Sequence, residues 1–373
     1  MRTSLRKITA VFGMLALVAV ASACSGEPEE APGVEPVQTE PGDATEPEDT
    51  DSGGRPVACV PADPPEPISF QLNFTAGGYN SGFALAKQRG YYEEVGLIVD
   101  IVKGQGSGTT ARLVGSGQAG LAYADAMAVM QVIAQGAEMR ILSTMYQSGP
   151  NAINALADSG INSIEDLRGK SLGEPTGEAG TAVLPLVLEA NGMTLDDIDR
   201  VPMPGTSLVA ALAQGQVDAI IGSTEGWNLI LEDQGFEVTV LPFAEWGVPT
   251  VSTSIFASDD FLAEHPNAVA CFIEASLRGW DAAIQEPDAA IEALVETFPY
   301  DTDASLNRRQ LDSAIQLFCA NDAQFVGKAE PEAWEETVGI AQEYFDLPAD
   351  LPPTAYYTYN FLPEKLPTSC PLN

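Results

Sequence analysis

Two stretches of the chain repeat one another. Val114-Gly115-Ser116-Gly117-Gln118-Ala119-Gly120-Leu121-Ala122 and Leu212-Ala213-Gln214-Gly215-Gln216-Val217-Asp218-Ala219-Ile220 each read as a helix end, a Gly-Gln turn and a buried strand. Each helix opens on a polar start, Ser107 to Thr110 in one and Thr206-Ser207 in the other, and each strand runs out into small or polar residues, Ala124-Asp125 and Gly222-Ser223. The simplest structure with this echo is a pair of α/β lobes built on one plan. In such sheets a ligand sits beyond the carboxyl ends of the strands, at helix N-termini, so two facing lobes make one cleft.

The rest of the chain fits that plan. Alternating β-rich stretches predict strands at Ile68 to Phe74, Leu97 to Val102, Ala119 to Tyr123 and Met139 to Met145, with helices at Ser81 to Arg89, Thr109 to Val114 and Ala126 to Gln135. The pattern restarts after Pro150, with strands from Ala152, Ser171, Val201, Asp218 and Glu237 and helices at Gly177 to Ala190 and Ser207 to Gln214. A strand from Val251 to Ala257 follows, and beyond it four helices are expected, opening near Pro266, Asp288, Ala304 and Pro331. Strands and helices alternating at this spacing mean a mainly parallel sheet. The Pro- and Tyr-rich end from Leu351 is expected to wrap back over the surface.

The N-terminus reads as an address. Arg2, Arg6 and Lys7 precede an apolar run, Ile8 to Val20, too short to span as an ordinary membrane helix. Ala21-Ser22-Ala23-Cys24 then resembles a bacterial lipobox, with residues 1–23 a lipoprotein signal peptide and Cys24 the lipidated residue; the alternative is an ordinary secretory signal with an incidental Cys. Residues 24–65 are acidic, Pro-rich and nearly without apolar side chains, which predicts a disordered tether. The protein is thereby expected on the outer face of the cytoplasmic membrane, held there only by lipid. Of 373 residues, 17 are Lys or Arg and 53 are Asp or Glu, a formal charge of -36, and from Cys59 onward 13 basic residues still face 43 acidic ones. A body this acidic repels phosphate backbones, which excludes nucleic acid as a partner. One His and dispersed Cys argue against a metal site, and no cofactor motif appears. Beyond Cys24, the four Cys of an exported chain form two disulfides in one of three pairings; Cys271–Cys319, both in the helical region, leaves Cys59–Cys370 to staple the ends.

Several motifs point further. Asn73-Phe74, the run Gly77-Gly78-Tyr79-Asn80-Ser81-Gly82 and the stretch from Ala84 to Ile101 resemble the opening of the solute-binding proteins of ABC importers, of the type that takes thiamine-pyrimidine precursors, alkanesulfonates and nitrate. Ser163 to Gly180, Leu208 to Ser223 and Phe261 to Ala275 resemble further stretches of that family. The resemblance implies a two-lobe periplasmic-binding-protein (Venus-flytrap, type II) α/β fold with a helical C-terminal region. Residues 66–150 and 251–373 would make lobe 1, and residues 151–250 lobe 2. Where the pyrimidine-precursor branch has Asp-Trp-x-Pro-Asn-x-Asn-His, this chain has Asn73-Phe74-Thr75-Ala76-Gly77-Gly78-Tyr79-Asn80.

The candidate ligand-binding residues follow from the strand ends. Asn73, Phe74, Tyr79 and Asn80 follow the first strand; Phe74 and Tyr79 either stack on a flat ring or fill the core and cap a loop. Ser107 stands at a helix start, and Thr176 and Glu178 stand at the equivalent point of the second half. Asp125 either accepts from an amine or caps a helix, while Glu225 beside Trp227 suits an amino-heterocycle, with Trp227 equally able to pack between lobes. Basic residues are nearly absent from these loops, which favours a neutral or amine-bearing ring over an anion. His265 lies away from the expected cleft, and no nucleophile–base pairing stands out, so the expectation is a monomeric binding protein and not an enzyme. Its partners would be a small-molecule solute and separate permease and ATPase subunits, with the lobes closing by hinge motion.

Overall fold

The computed structural model describes residues 56–299, 303–321, 323–366 and 370; the expected signal peptide, Cys24 and the linker through Arg55 lie outside them. The first part of the chain forms β1 (Glu66–Gln71), α1 (Ser81–Gln88), α2 (Tyr91–Glu94), β2 (Leu97–Val102), α3 (Ser107–Gly115), β3 (Leu121–Ala124), α4 (Ala126–Ala134) and β4 (Met139–Thr144). Then come β5 (Asn151–Leu156), β6 (Ser171–Pro175), α5 (Ala179–Ala190), β7 (Asp199–Met203), α6 (Gly205–Ala213), β8 (Ala219–Ser223), α7 (Trp227–Asp233) and β9 (Val238–Pro242). The last strand, β10 (Ser254–Ser258), leads into α8 (Asp259–Glu264), α9 (Pro266–Gln285), α10 (Pro287–Thr297), α11 (Ala304–Phe318) and α12 (Pro331–Tyr344).

The strands make two five-stranded sheets, ordered β2-β1-β3-β10-β4 and β7-β6-β8-β5-β9. The two echoed stretches end in β3 and β8, each the middle strand of its sheet. The sheets are mixed, which corrects the expectation of mainly parallel pairing: β10 runs antiparallel to β3 and β4, and β5 runs antiparallel to β8 and β9. Both odd strands are the ones the chain reaches by crossing from the other sheet. Neither is delivered by a helical βαβ crossover, the connection that makes sheet neighbours parallel.

The central strand β3 is buried on both faces, and its side chains alternate between two clusters as a period of two demands. Leu121 and Tyr123 of β3, with Phe70 of β1, face the core beneath α1 and α9, where Phe83, Phe272 and Trp280 are fully buried. Ala122 and Ala124 face the opposite way, into a second cluster. That cluster also holds Ile153, Leu172 and Ile221 of the second sheet and Trp334 of α12, so one apolar seam joins the sheets. The C-terminal segment does wrap back, but into the body: Tyr357 is 5% exposed, stacks on Trp334 at 4.5 Å, and bridges to Ile141 on β4.

The disulfides are Cys59–Cys271 and Cys319–Cys370, which corrects the favoured pairing of Cys271 with Cys319. Cys271 is buried within α9, whereas Cys319 caps the far end of α11; a shared helical region does not put two residues face to face. The extended terminal segments come to the helices instead. Val60 exchanges hydrogen bonds with Asn267 through its backbone N–H and C=O, both at 2.8 Å, and this lays Cys59 on α9 with a Cα–Cα distance of 4.5 Å to Cys271.

Candidate functional site

The loops after β1 and β2 are fastened together by backbone. Gly104 N–H donates to the Phe74 carbonyl at 2.9 Å, and Gly106 N–H donates to the Asn73 carbonyl at 2.7 Å. Gly106 has φ +123°, and a Cβ there would stand 2.7 Å from the Gly177 carbonyl, so only glycine lets the chain pass here. This close approach fixes Asn73 and Phe74 at the carboxyl end of the first sheet. It also brings the α3 N-terminus against the β6–α5 loop, where Gly108 N–H donates to Gly177 C=O at 3.0 Å.

A cavity of about 190 Å³ lies between the two sheets. Of the residues singled out for the cleft, all line it except Asn80 and Thr176. Asn80 is turned away, its side-chain oxygen accepting from Gly77 N–H at 3.3 Å, and Thr176 is exposed outside the rim. Phe74 from the first sheet meets Trp227 from the second edge to face, ring centroids 6.2 Å apart and planes at 84°. Tyr79 closes another wall, its hydroxyl donating to Thr75 C=O at 3.3 Å.

Four carboxylates line the cavity, and no Arg, Lys or His is among the described residues that do so. Two of the four are occupied as helix caps. Asp125 accepts from Met127 and Ala128 N–H at 2.9 and 3.3 Å, from Ser252 Oγ at 2.5 Å and from Asn151 Nδ2 at 3.4 Å. Burial nonetheless raises its pKa above the usual carboxylate range. Asp303 caps α11 through Leu306 N–H at 2.9 Å. The other two are Glu178 and Glu225, each pushed up to about 7, chiefly by loss of water. Glu178 takes the Ser107 N–H, and Glu225 bonds to Ser223 but leaves Oε2 buried without a partner. The α3 N-terminus, which read as a place for an anion, therefore already holds Glu178 and the Gly177 carbonyl. The Tyr79 hydroxyl is raised by burial and then by Glu225 and Glu178, and it stays neutral.

The roof of the cavity comes from α11, which the sequence reading left out of the site. Leu306, Asn307 and Gln310 line the cavity, as do Asn151 and Ser223 from the second sheet. Gln310 Oε1 accepts from Gly78 N–H at 2.9 Å, which ties the roof to the first sheet. Across the mouth, the Arg309 guanidinium reaches Asp233 and Glu232 on α7, and Ser313 Oγ donates to Thr224 C=O at 3.2 Å. A forked pair this exposed is worth little in isolation and is screened by salt. Arg309→Ala is expected to speed ligand release roughly twofold to fivefold at low ionic strength, with the difference vanishing in high salt. Stopped-flow release at two salt concentrations checks this.

His265 stands at the start of α9, but its ring goes to Glu66 at 2.6 Å and makes no side-chain cap.

A family model described as NMT1/THI5 like matches residues 78–290, more than half of the chain. The chain belongs to the NMT1/THI5-like family. It is 27% identical over 305 residues to a protein named riboflavin-binding protein RibY of Chloroflexus aurantiacus, covering 79% of this chain and 86% of that protein. It is also 26% identical over 307 residues to a protein of Aspergillus parasiticus named 4-amino-5-hydroxymethyl-2-methylpyrimidine phosphate synthase, covering 79% and 87%. Among solved structures, the periplasmic nitrate-binding protein NrtA of Synechocystis PCC 6803 superposes with a TM-score of 0.59 at 15% identity, over 80% of this chain and 88% of that one. The fold is that of periplasmic binding proteins, in α/β form, as expected.

The expectation that this chain is not an enzyme is corrected by the synthases. Proteins given that name in three fungi resemble it nearly as strongly as the riboflavin-binding protein does. A missing cleft His and a missing nucleophile–base pairing exclude only the catalytic routes that need those groups. Carboxyls with pKa raised to about 7, such as Glu178 and Glu225, are themselves groups able to move protons. Absence of a His from the cleft does not separate this NMT1/THI5-like chain from the synthases.

Proposed function

We propose that the protein is the extracytoplasmic solute-binding component of an ABC importer, tethered through lipid on Cys24, and that it captures a compact nitrogen-containing ring. The observation that carries this reading is the cavity between the sheets, walled by Phe74, Tyr79 and Trp227, with open hydrogen-bond acceptors and no basic side chain among the described residues that line it. Its 190 Å³ falls below the roughly 300–1,000 Å³ of clefts that enclose drug-sized ligands, which favours a single ring over a fused tricyclic one. The unpartnered Oδ1 of Asn73 and Oε2 of Glu225 ask for donors such as ring amino groups. The relatives' names support the same chemistry, since riboflavin and the pyrimidine phosphate are both nitrogen heterocycles. An anionic solute would meet four carboxylates and find the α3 N-terminus occupied.

The test is a thermal-shift screen of the purified protein against aminopyrimidines, riboflavin, alkanesulfonates and nitrate. A ligand that binds only the folded state raises Tm by an amount that grows with the logarithm of its concentration over Kd. The expected hit is a single-ring amino-heterocycle. Trp227→Ala is expected to weaken that hit about tenfold or more, and Thr176→Ala to leave it unchanged. A shift with sulfonate or nitrate alone overturns the reading. Chromatography of the same incubations reports whether the hit is also chemically altered.

A further inference from the structure

The cavity's unbalanced charge says more about the solute, on the footing of the binding reading above. Of its four carboxylates, Asp125 and Asp303 already accept backbone N–H groups as helix N-caps. Glu178 has one backbone N–H. Glu225 is 8% exposed, lines the cavity, and carries an oxygen that no group in the structure satisfies. Leaving a buried carboxylate oxygen unpaired is costly, and pairing it with a charge recovers most of that cost. Neither basic side chain near the rim is in the lining: Arg112 hydrogen-bonds Thr109 Oγ1 at 3.2 Å, and Arg309 is held by Glu232 and Asp233. Among the described residues, no three His, Cys, Asp or Glu converge closely enough to hold a metal ion. Tyr79, close enough to feel the Glu225 charge, and the Phe74–Trp227 pair also line the cavity, and aromatic faces attract organic cations.

We infer that the solute is an organic cation, a ring bearing a fixed or protonated positive nitrogen, seated against Glu225 within the walls of Phe74, Tyr79 and Trp227. A neutral ring would leave Glu225 to be satisfied by its own proton. A cationic ring removes that need and holds the carboxylate ionised. Asn307 supports an oriented ring on the opposite side, because its Nδ2 is also buried without a partner and would meet an acceptor on the solute.

The sign of the pH dependence follows. Burial pushes the Glu225 and Glu178 carboxyls up to about 7. The other acidic groups facing Glu225 are Asp125 and Asp303, already capped, and the hydroxyls of Tyr79, Tyr123 and Tyr146, which burial keeps protonated. A bound cation lowers the Glu225 pKa, so binding releases a proton below 7. Affinity then rises with pH by up to about tenfold per unit below 7 and flattens above it. For an anion the slope has the opposite sign.

The experiment uses one ring in three charge states: 1-methylnicotinamide, methylated on the ring nitrogen (cation), nicotinamide (neutral) and nicotinate (anion), titrated calorimetrically into the intact protein between pH 5.5 and 8. At pH 8 the cation should bind at least about tenfold more tightly than nicotinamide. Glu225→Gln should erase that preference and its pH slope. Nicotinamide or nicotinate binding as tightly as the cation overturns the inference but leaves the ring-binding function standing. If none of the three binds up to millimolar concentration, the ring-binding reading fails and takes the inference with it.

Discussion

Gly78→Ala is expected to lower solute affinity about a hundredfold and to cost roughly 1–3 kcal/mol of stability. Gly78 opens a single turn of 3-10 helix, Gly78–Asn80, pressed under α11. A Cβ there would stand 1.8 Å from the Asn307 carbonyl oxygen and 2.7 Å from the Leu311 nitrogen. Both are backbone atoms, so no change of side-chain rotamer relieves the clash, and α11 itself must lift. Lifting it displaces Asn307 and Gln310 from the cavity and pulls Arg309 away from α7, which is why the loss of binding should exceed the loss of stability. Gly339→Ala in α12 is the control: nothing lies within 4 Å of its Cβ position, and a helical Gly→Ala change there should be neutral or stabilising by about 0.5–1 kcal/mol. Calorimetric titration and thermal melting of both variants separate the two effects. If Gly78→Ala binds like the parent, α11 is not the roof of a working site.

Removing the Cys59–Cys271 disulfide, by paired replacement with Ala, is expected to destabilise the protein by about 2–5 kcal/mol, seen as a Tm lower by roughly 3–8 °C. The bridge joins residues separated by 212 positions, whereas Cys319–Cys370 spans 51. Loop-closure entropy grows only with the logarithm of length, so the first bridge should outweigh the second by about 1 kcal/mol. Melting each variant beside the parent, with and without reductant, tests the ranking. Equal melting of the reduced and oxidised parent would show that neither bridge contributes.

Much of the fold was legible because it is written locally. The strand from Leu97 to Val102 has the same bounds in sequence and structure, and the echoed turns lead to the two central strands. Short amphipathic segments were harder: α7, only seven residues from Trp227 to Asp233, was not expected as a helix. Strand direction was also hidden, because the chain's two crossings between sheets leave no local mark.

At the site, loops that follow strands could be found from their order, which is how Asn73, Glu178 and Glu225 were singled out. Asn307 and Gln310 could not be found that way, since they sit on a helix far along the chain. A signal did exist: on α11 they share the buried stripe with Leu311, Ala314 and Phe318, and polar side chains on a buried face ask for a partner. The disulfide pairing failed for a related reason, since helices that neighbour in sequence need not present their Cys to one another.

The apolar seam that runs from Ile141 and Phe256 through Ile153, Leu172 and Trp334 bears on how the mouth can gape. Two halves linked only by bare strands would be able to swing widely. Here the axle is itself oily and continuous, and wide separation would wet it. Gaping therefore costs free energy in proportion to the apolar area of the axle that it wets.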